Sequence, residues 1–181
     1  HHRGRARLGE RVAAAEGRAQ GPPAIRRALA HLLAARETIL GYQGWGGDQY
    51  GRWLPAVALS YRYTGARDDL LGQVLVAFLR TQAPGGMFGQ AGSAMTLWWG
   101  AGRALVGLVE YWELTGEPRA LEAAARLGDL YLTDFPFAEA NRRDQPGATH
   151  YQSGIEGLVA LGRATRQPRY LEFARRVYQT L

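Results

Sequence analysis

The feature that most constrains this chain is a helical-hairpin pattern that recurs about every 50 residues. The repeats align on three dipeptides, Thr64-Gly65, Thr115-Gly116 and Thr165-Arg166, and each dipeptide follows an apolar segment with helical spacing. A second amphipathic segment comes after each dipeptide. Pro118 and Pro168 stand where two of these segments begin, a position at which helices tolerate proline. Since one hairpin cannot bury both of its faces, the pattern predicts stacked hairpins.

The turns and the apolar stripes differ between the repeats. Gly65 and Gly116 are suitable caps for the helices that precede them, whereas Arg166 predicts a weaker cap in the third repeat. Each second helix is expected to bury one stripe of side chains. The three predicted stripes are Leu71, Val74 and Phe78; Leu121, Ala124 and Gly128; and Leu171, Ala174 and Tyr178.

The hairpins predict an all-α chain that forms an arc of an α/α toroid, with an open solenoid as the alternative. Residues 24–181 supply about three and a half hairpins, beginning with a helix over Ala24–Leu40. Residues 1–23 are expected to be a frayed or disordered lead-in. In a toroid the first helices form a tight inner ring, because each carries a small residue at the same distance before its threonine, at Ala56, Gly107 and Gly157.

Composition excludes several classes of protein. The formal charge of +6 comes entirely from arginine, but the arginines alternate with acidic residues along helices, as at Arg119, Glu122 and Arg126. Solvated helix faces therefore explain them better than a nucleic-acid surface. The absence of cysteine excludes disulfides and a cysteine nucleophile within this segment. No run of about 18 apolar residues predicts a membrane span, and the compartment stays open between cytoplasm and export.

Candidate functional residues lie in and beside the long connections, 41–50, 82–94 and 135–149, which are expected to emerge at one end of the assembly and to line a cleft. A tryptophan can stack on the apolar face of a sugar while carboxylates and amides bind its hydroxyls. The predicted sugar-binding residues are Trp45, Asp48, Gln49, Arg52, Trp98, His150 and Gln152.

Each of these residues also has a structural interpretation. Asp48 is equally suited to cap a helix, and the adjacent Trp98 and Trp99 can pack against neighbouring helices instead of lining a cleft. Arg103 can bind an acidic group or pair with a carboxylate. His150 can donate a hydrogen bond or act as an acid or base, although a lone histidine is more often structural.

The same residues carry a resemblance to a known family. The sequence resembles the bacterial glycoside hydrolases of the β-L-arabinofuranosidase type, whose catalytic domain is an (α/α)6 barrel. The matching runs are Trp45-Gly-Gly-Asp-Gln-Tyr-Gly-Arg-Trp-Leu54, Gln82-Ala-Pro-Gly-Gly-Met-Phe-Gly89, Gly107-Leu-Val-Glu-Tyr-Trp-Glu-Leu-Thr-Gly116, Gly147-Ala-Thr-His150 and Pro168-Arg-Tyr-Leu-Glu-Phe-Ala-Arg175.

The resemblance implies a sugar-binding cleft with Asp48 and His150 at matching polar positions. It also implies an acidic catalyst and a zinc-bound cysteine nucleophile that lie beyond Leu181, so catalytic residues within this segment stay unknown. No cofactor is expected in the segment itself, although zinc is possible in the parent chain. Family members often carry a histidine in the helix after the second loop, where this sequence reads Trp99-Gly-Ala-Gly-Arg103.

The leading hypothesis is a partial glycoside-hydrolase-like domain that binds sugar residues in a cleft, in a parent protein that hydrolyses glycosidic bonds. The alternative is a non-catalytic helical-repeat scaffold that binds a protein or a peptide. Another enzyme on the same toroid is a third hypothesis, because fold does not fix chemistry. Arg103, Arg142 and Arg143 would suit an acidic sugar in such an enzyme. Self-association that covers an exposed toroid edge is a further expectation.

Overall fold

The computed structural model describes residues 47–65, 70–89, 94–141 and 148–179, together with Pro23, Arg27, Ala30 and His31. From residue 47 onward the described ranges contain seven α-helices, one 3₁₀-helix and no β-strand, which confirms the all-α prediction. The helices are α1 (Asp48–Thr64), α2 (Leu70–Leu79), α3 (Ala94–Thr115), α4 (Pro118–Asp134), α5 (Phe137–Ala140), the 3₁₀-helix (Ala148–Ser153), α6 (Gly154–Thr165) and α7 (Pro168–Gln179).

The N-terminal predictions fall largely outside the described residues. Within the predicted helix over Ala24–Leu40, Arg27, Ala30 and His31 are helical and exposed, and so is Pro23 at the end of the predicted lead-in. None of the helices in the described part of the chain is long and apolar enough to cross a membrane.

The helices are arranged in two layers. The first helices of the three hairpins, α1, α3 and α6, pack side by side with α3 in the middle. The second helices, α2, α4 and α7, each pack against the first helix of their own hairpin. Gly102 of α3 lies against Ser153, and Leu105 of α3 lies against Gly157, so α3 and α6 run in the same direction. The predicted arc of stacked hairpins is therefore confirmed.

Glycines allow the inner helices to approach closely. A Cβ atom on Gly107 would collide with the backbone of Gly51, and one on Gly51 would collide with the carbonyl of Arg103. Pro55 lies inside α1 and has no N–H with which to bond the Gly51 carbonyl. That carbonyl instead faces Gly107, where only a glycine leaves room for it.

The repeated dipeptides end the inner helices in the same way each time. Each threonine hydroxyl donates to the carbonyl four residues earlier, which adds a side-chain bond to the last turn of each helix. These bonds run from Thr64 to Ser60 at 2.9 Å, from Thr115 to Tyr111 at 2.7 Å, and from Thr165 to Leu161 at 2.7 Å.

The next residue in each repeat takes the left-handed conformation. Gly65 and Gly116 have φ of +70° and +76°, and Arg166 has φ of +57° although it is not a glycine. The Arg166 backbone N–H still bonds to the carbonyl of Gly162, so the third cap forms. The cap geometry is therefore shared by all three repeats, and the arginine carries the steric strain that glycine avoids.

The buried stripe of α2 agrees with the prediction, and that of α7 differs from it at one residue. In α2 the side chains of Leu71, Val74 and Phe78 are all buried, as predicted. In α7 the prediction for Tyr178 is wrong, because this side chain is 67% exposed and the preceding residue, Val177, occupies the buried position. Packing against α6 sets the rotation of α7 about its axis, and a difference of one residue turns a side chain from the core to solvent.

The connection after α2 is fixed to the outer layer. The Gln82 side-chain amide donates to the carbonyls of Gly86 and Ala123, at 2.9 Å in each case. Phe88 is fully buried and stacks on Phe78 with ring centroids 4.2 Å apart. These contacts hold the chain where it leaves α2 and place it at the end of the molecule from which α1 and α6 also begin.

Candidate functional site

Asp48 is the buried centre of a polar group at the shared end of the inner helices. Its residue is only 2% exposed, and α1 begins at Asp48 directly after Gly47, whose φ is +91°. A Cβ atom on Gly47 would lie 2.8 Å from the ring of Phe78, so the turn before α1 packs closely on this ring. The residue at the N-cap position of α1 is Gly47. Asp48 is the first residue of the helix and therefore does not act as the cap.

The Asp48 carboxylate joins two of the inner helices. Its Oδ1 accepts a hydrogen bond from the indole Nε1 of Trp99 in α3, at 3.1 Å. The same oxygen accepts from Nε of Arg52, one turn along α1, and forms an ion pair with its Nη2, both at 3.0 Å. A buried carboxylate is tolerated when it is paired in this way.

His150 comes from the 3₁₀-helix that precedes the third inner helix, α6. The imidazole of this half-buried residue lies in the 3₁₀-helix before α6, and its centroid is 4.3 Å from that of Trp99, with the planes inclined by 54°. The guanidinium carbon of Arg103 lies over the same indole, 5.6 Å from the ring centroid. We refer to Asp48, Arg52, Trp99, Arg103 and His150 as the Asp48 cluster.

Ser153 fixes the 3₁₀-helix against α3. Its hydroxyl is within hydrogen-bond distance of the carbonyls of Trp98 and Trp99, at 3.1 and 3.0 Å. Gly102 makes this approach possible, because a Cβ atom there would collide with Ser153. The hydroxyl of Tyr131 also donates to the Trp98 carbonyl, at 3.2 Å, and burial raises the pKa of this phenol so that it stays a donor. The position of His150 beside Trp99 therefore rests on a defined set of contacts.

The two adjacent tryptophans have separate environments. Trp98 is 6% exposed and packs edge-on against Tyr131 and Phe135, with ring centroids 4.7 and 5.4 Å away. Trp99, one residue further along α3, is half-buried and belongs to the Asp48 cluster. The structure therefore places Trp98 in the core, and Trp99 holds the position beside Asp48 and His150.

The remaining predicted residues are distributed unevenly around the cluster. The Gln49 amide lies 3.5 Å from Oδ2 of Asp48, at the outer limit of a hydrogen bond. The Arg52 side chain is 52% exposed, so it reaches the buried carboxylate from the surface. Gln152 is half-buried in the 3₁₀-helix, two residues after His150. Trp45, Arg142 and Arg143 lie outside the described residues.

Acidic residues lie further along the inner helices. Partial desolvation by the surrounding protein raises the pKa of Glu110 in α3 above its usual value, and the negative charges of Glu156 and Glu113 raise it further. Glu156 belongs to α6, so this repulsion acts between neighbouring inner helices. The inner layer therefore carries two kinds of charged group. The Asp48 cluster, with two arginines and one aspartate, lies at the loop end, and the carboxylates lie further along the helices.

A family model described as the beta-L-arabinofuranosidase, GH127 catalytic domain, matches residues 24–180. The chain belongs to this family. No curated protein and no solved structure matches it. Membership of GH127 confirms the resemblance carried by the loop motifs, and it makes the function glycoside-hydrolase-like in general, with a carbohydrate as the substrate class.

The residues of this segment do not suit the zinc site that the resemblance implies for GH127. The sequence has no cysteine, and the described residues contain no group of three His, Asp or Glu side chains that could hold a metal ion. The sequence did not identify two residues that the structure places in or beside the Asp48 cluster, Trp99 and Ser153. Ser153 carried no signal at all, and Trp99 was indistinguishable from Trp98 until the rotation of α3 was known.

Proposed function

We propose that the Asp48 cluster binds a sugar residue in a cleft at the loop end of the inner helices, in a protein that hydrolyses glycosidic bonds. The observation that carries this proposal is the convergence of the three inner helices on one indole. The indole of Trp99 in α3 donates a hydrogen bond to Asp48 of α1, and its ring lies against His150 from the segment before α6. Aromatic faces beside convergent polar groups are the usual lining of a carbohydrate site.

The members of the cluster have different parts in this proposal. Trp99, His150 and the exposed portion of Arg52 are accessible enough to contact a sugar. The Asp48 side chain is 3% exposed and already accepts bonds from Trp99 and Arg52. Asp48 is therefore a positioning residue that holds the indole and the guanidinium in place. Trp98 has no part, because its ring is packed between aromatic side chains of α4 and the segment after it.

The described residues bind and orient the sugar, and no bond-breaking step is assigned to them. Such a step requires a nucleophile and an acid at the glycosidic bond. From the family resemblance both are expected beyond Leu181, and this sequence contains no cysteine. The contribution of this segment is then one wall of the cleft, which holds the terminal sugar for groups elsewhere in the protein.

The proposal is tested by titrating methyl β-L-arabinofuranoside into the protein and into the variants Asp48→Ala and His150→Ala, with calorimetry or ligand-observed NMR. Each variant should bind at least about tenfold more weakly, since each loses a group that contacts or positions the sugar. Circular dichroism should show unchanged helicity. Tyr170→Phe is the matched control, because it removes a 2.7 Å bond to Asp129 between α7 and α4, away from the cluster.

Two outcomes would count against the proposal. Unchanged affinity in both Asp48→Ala and His150→Ala would remove the assignment of the site, even if the sugar binds. A wild-type protein that binds no sugar would contradict sugar recognition itself. That second result would favour a helical-repeat scaffold that recognises a protein or a peptide.

A further inference from the structure

Arg103 is the one member of the Asp48 cluster whose charge is not paired within the described residues. Its Nε atom is buried and has no hydrogen-bond acceptor among them, and no described carboxylate lies within 4.0 Å of its guanidinium. The side chain is half-buried, and its guanidinium lies over the face of Trp99. A buried N–H without an acceptor is costly, and because the rest of the half-buried guanidinium has no described carboxylate partner either, an anion that binds its Nη groups would offset part of this cost.

The charges around the indole favour an anion. Asp48 is neutralised by Arg52 at 3.0 Å, which leaves the positive charge of Arg103 uncompensated within the cluster. A planar guanidinium offers parallel N–H donors that match the two oxygens of a carboxylate. A sugar seated against Trp99 and His150 would place its ring substituents close to this guanidinium, which lies 5.6 Å from the indole centroid.

We propose that Arg103 binds a carboxylate on the sugar, so that the site selects an acidic sugar over the neutral sugar of the same ring form. This inference rests on the proposed function, because it assigns a substrate class to the same cluster. Arg103 is then the specificity-determining residue. Trp99 and His150 hold the ring, and Arg103 reads the substituent.

The test uses two ligands that differ at a single carbon. Methyl β-L-arabinofuranoside carries a primary alcohol at C5, and its uronate, made by oxidising that alcohol, carries a carboxylate. The protein should bind the uronate at least about tenfold more tightly than the neutral glycoside, as expected for a charge-assisted bidentate bond. Sodium acetate at the same concentration supplies the carboxylate without the ring and should give no saturable signal.

Three variants separate Arg103 from the general positive field of the protein. Arg103→Gln should remove the preference, so that the variant binds the uronate and the neutral glycoside with equal affinity. Arg103→Lys keeps the charge but loses the planar fork, so it should retain only part of the preference. Arg163→Gln is the matched control, since it removes the same charge from an exposed position on α6 and should keep the full preference.

The outcomes distinguish this inference from the function on which it rests. Equal binding of the two glycosides, or a preference that survives Arg103→Gln, overturns the inference while leaving sugar binding intact. Binding of acetate as tight as that of the uronate also overturns it, because the site would then recognise an anion without the sugar. If neither glycoside binds, the proposed function fails and this inference fails with it.

Discussion

At the scale of single residues, burial of a charged group is compensated at Asp48 and not at Arg103. The carboxylate of Asp48 is buried but receives two partners on one oxygen, so its loss of hydration is offset. The guanidinium of Arg103 has a buried Nε without a described acceptor, so its desolvation is not offset within the described residues. Groups retained in spite of such a penalty are concentrated at functional sites.

Glu110 allows a test of electrostatic strain between inner helices. Its pKa is raised above the usual value of 4.5, by desolvation first and by Glu156 and Glu113 next. Ionisation of this carboxyl therefore opposes folding at pH values above the raised pKa, and the opposition disappears as pH falls below 4.5. We expect Glu110→Gln to raise the free energy of unfolding at pH 7 by less than about 1 kcal/mol, because solvent screens much of the interaction.

Urea unfolding at neutral and acidic pH measures this effect. The gain of Glu110→Gln should vanish well below pH 4.5, where the wild-type carboxyl is protonated in both the folded and the unfolded state. Glu122→Gln, on the exposed side of α4, makes the same change of charge without an inner-helix neighbour. If both variants gained equally at pH 7, the cause would be net charge and not the pair of inner helices.

At the scale of the helix, the three inner-helix ends share one design and differ in one residue. The threonine hydroxyl and the left-handed residue after it are the same at Thr64-Gly65, Thr115-Gly116 and Thr165-Arg166, apart from the arginine. The left-handed conformation costs a non-glycine residue about 1–2 kcal/mol. Part of that penalty is recovered because glycine loses more conformational entropy on folding.

Arg166→Gly should therefore raise the free energy of unfolding by about 0.5–1 kcal/mol, since it relieves a φ of +57° on an exposed residue. The reciprocal variant Gly116→Ala, at the same position of the preceding hairpin, should lower it by about 1 kcal/mol. Urea midpoints at constant m-value give both numbers. A loss of stability in Arg166→Gly would mean that the arginine side chain makes a contribution larger than its backbone strain.

At the scale of the whole molecule, the sequence predicted the hairpin arc because its signals are local. A threonine and the residue after it mark the turn of each hairpin, and Pro118 and Pro168 mark the start of the second helix in two of the three. The common end of the connections follows from alternating helix directions, and this brought Asp48 and His150 into one prediction. The match to a glycoside hydrolase family then agrees with motifs in the same connections.

What the sequence could not predict depends on how each helix is rotated about its own axis. Trp98 and Trp99 are adjacent, and only contacts with Tyr131 and Phe135 place one in the core and the other in the Asp48 cluster. The error at Tyr178 has the same origin, since one residue changes the direction of a helical side chain by about 100°. Local patterns fix where a helix lies in the chain, and long-range packing fixes which face is buried.

Stacked hairpins should also transmit a local disturbance mainly to their nearest neighbours. Helix α3 allows a matched test, because it carries a glycine at each of its two interfaces. A Cβ atom on Gly107 would collide with Gly51 of α1, and one on Gly102 would collide with Ser153 and Gly154 beside α6. Both collisions include backbone atoms, so overpacking in either alanine variant should cost about 1–3 kcal/mol.

Hydrogen exchange measured by mass spectrometry distinguishes the two interfaces. Gly107→Ala should speed exchange in α1 by about tenfold and leave α6 and α7 nearly unchanged, whereas Gly102→Ala should do the reverse. The two variants make the same chemical change on the same helix, so intrinsic helix propensity is matched between them. Equal acceleration across the chain in both variants would contradict nearest-neighbour coupling, because the hairpins would then open as one cooperative unit. The expected asymmetry would instead place the Asp48 cluster across two separable interfaces, and its geometry would depend on both of them.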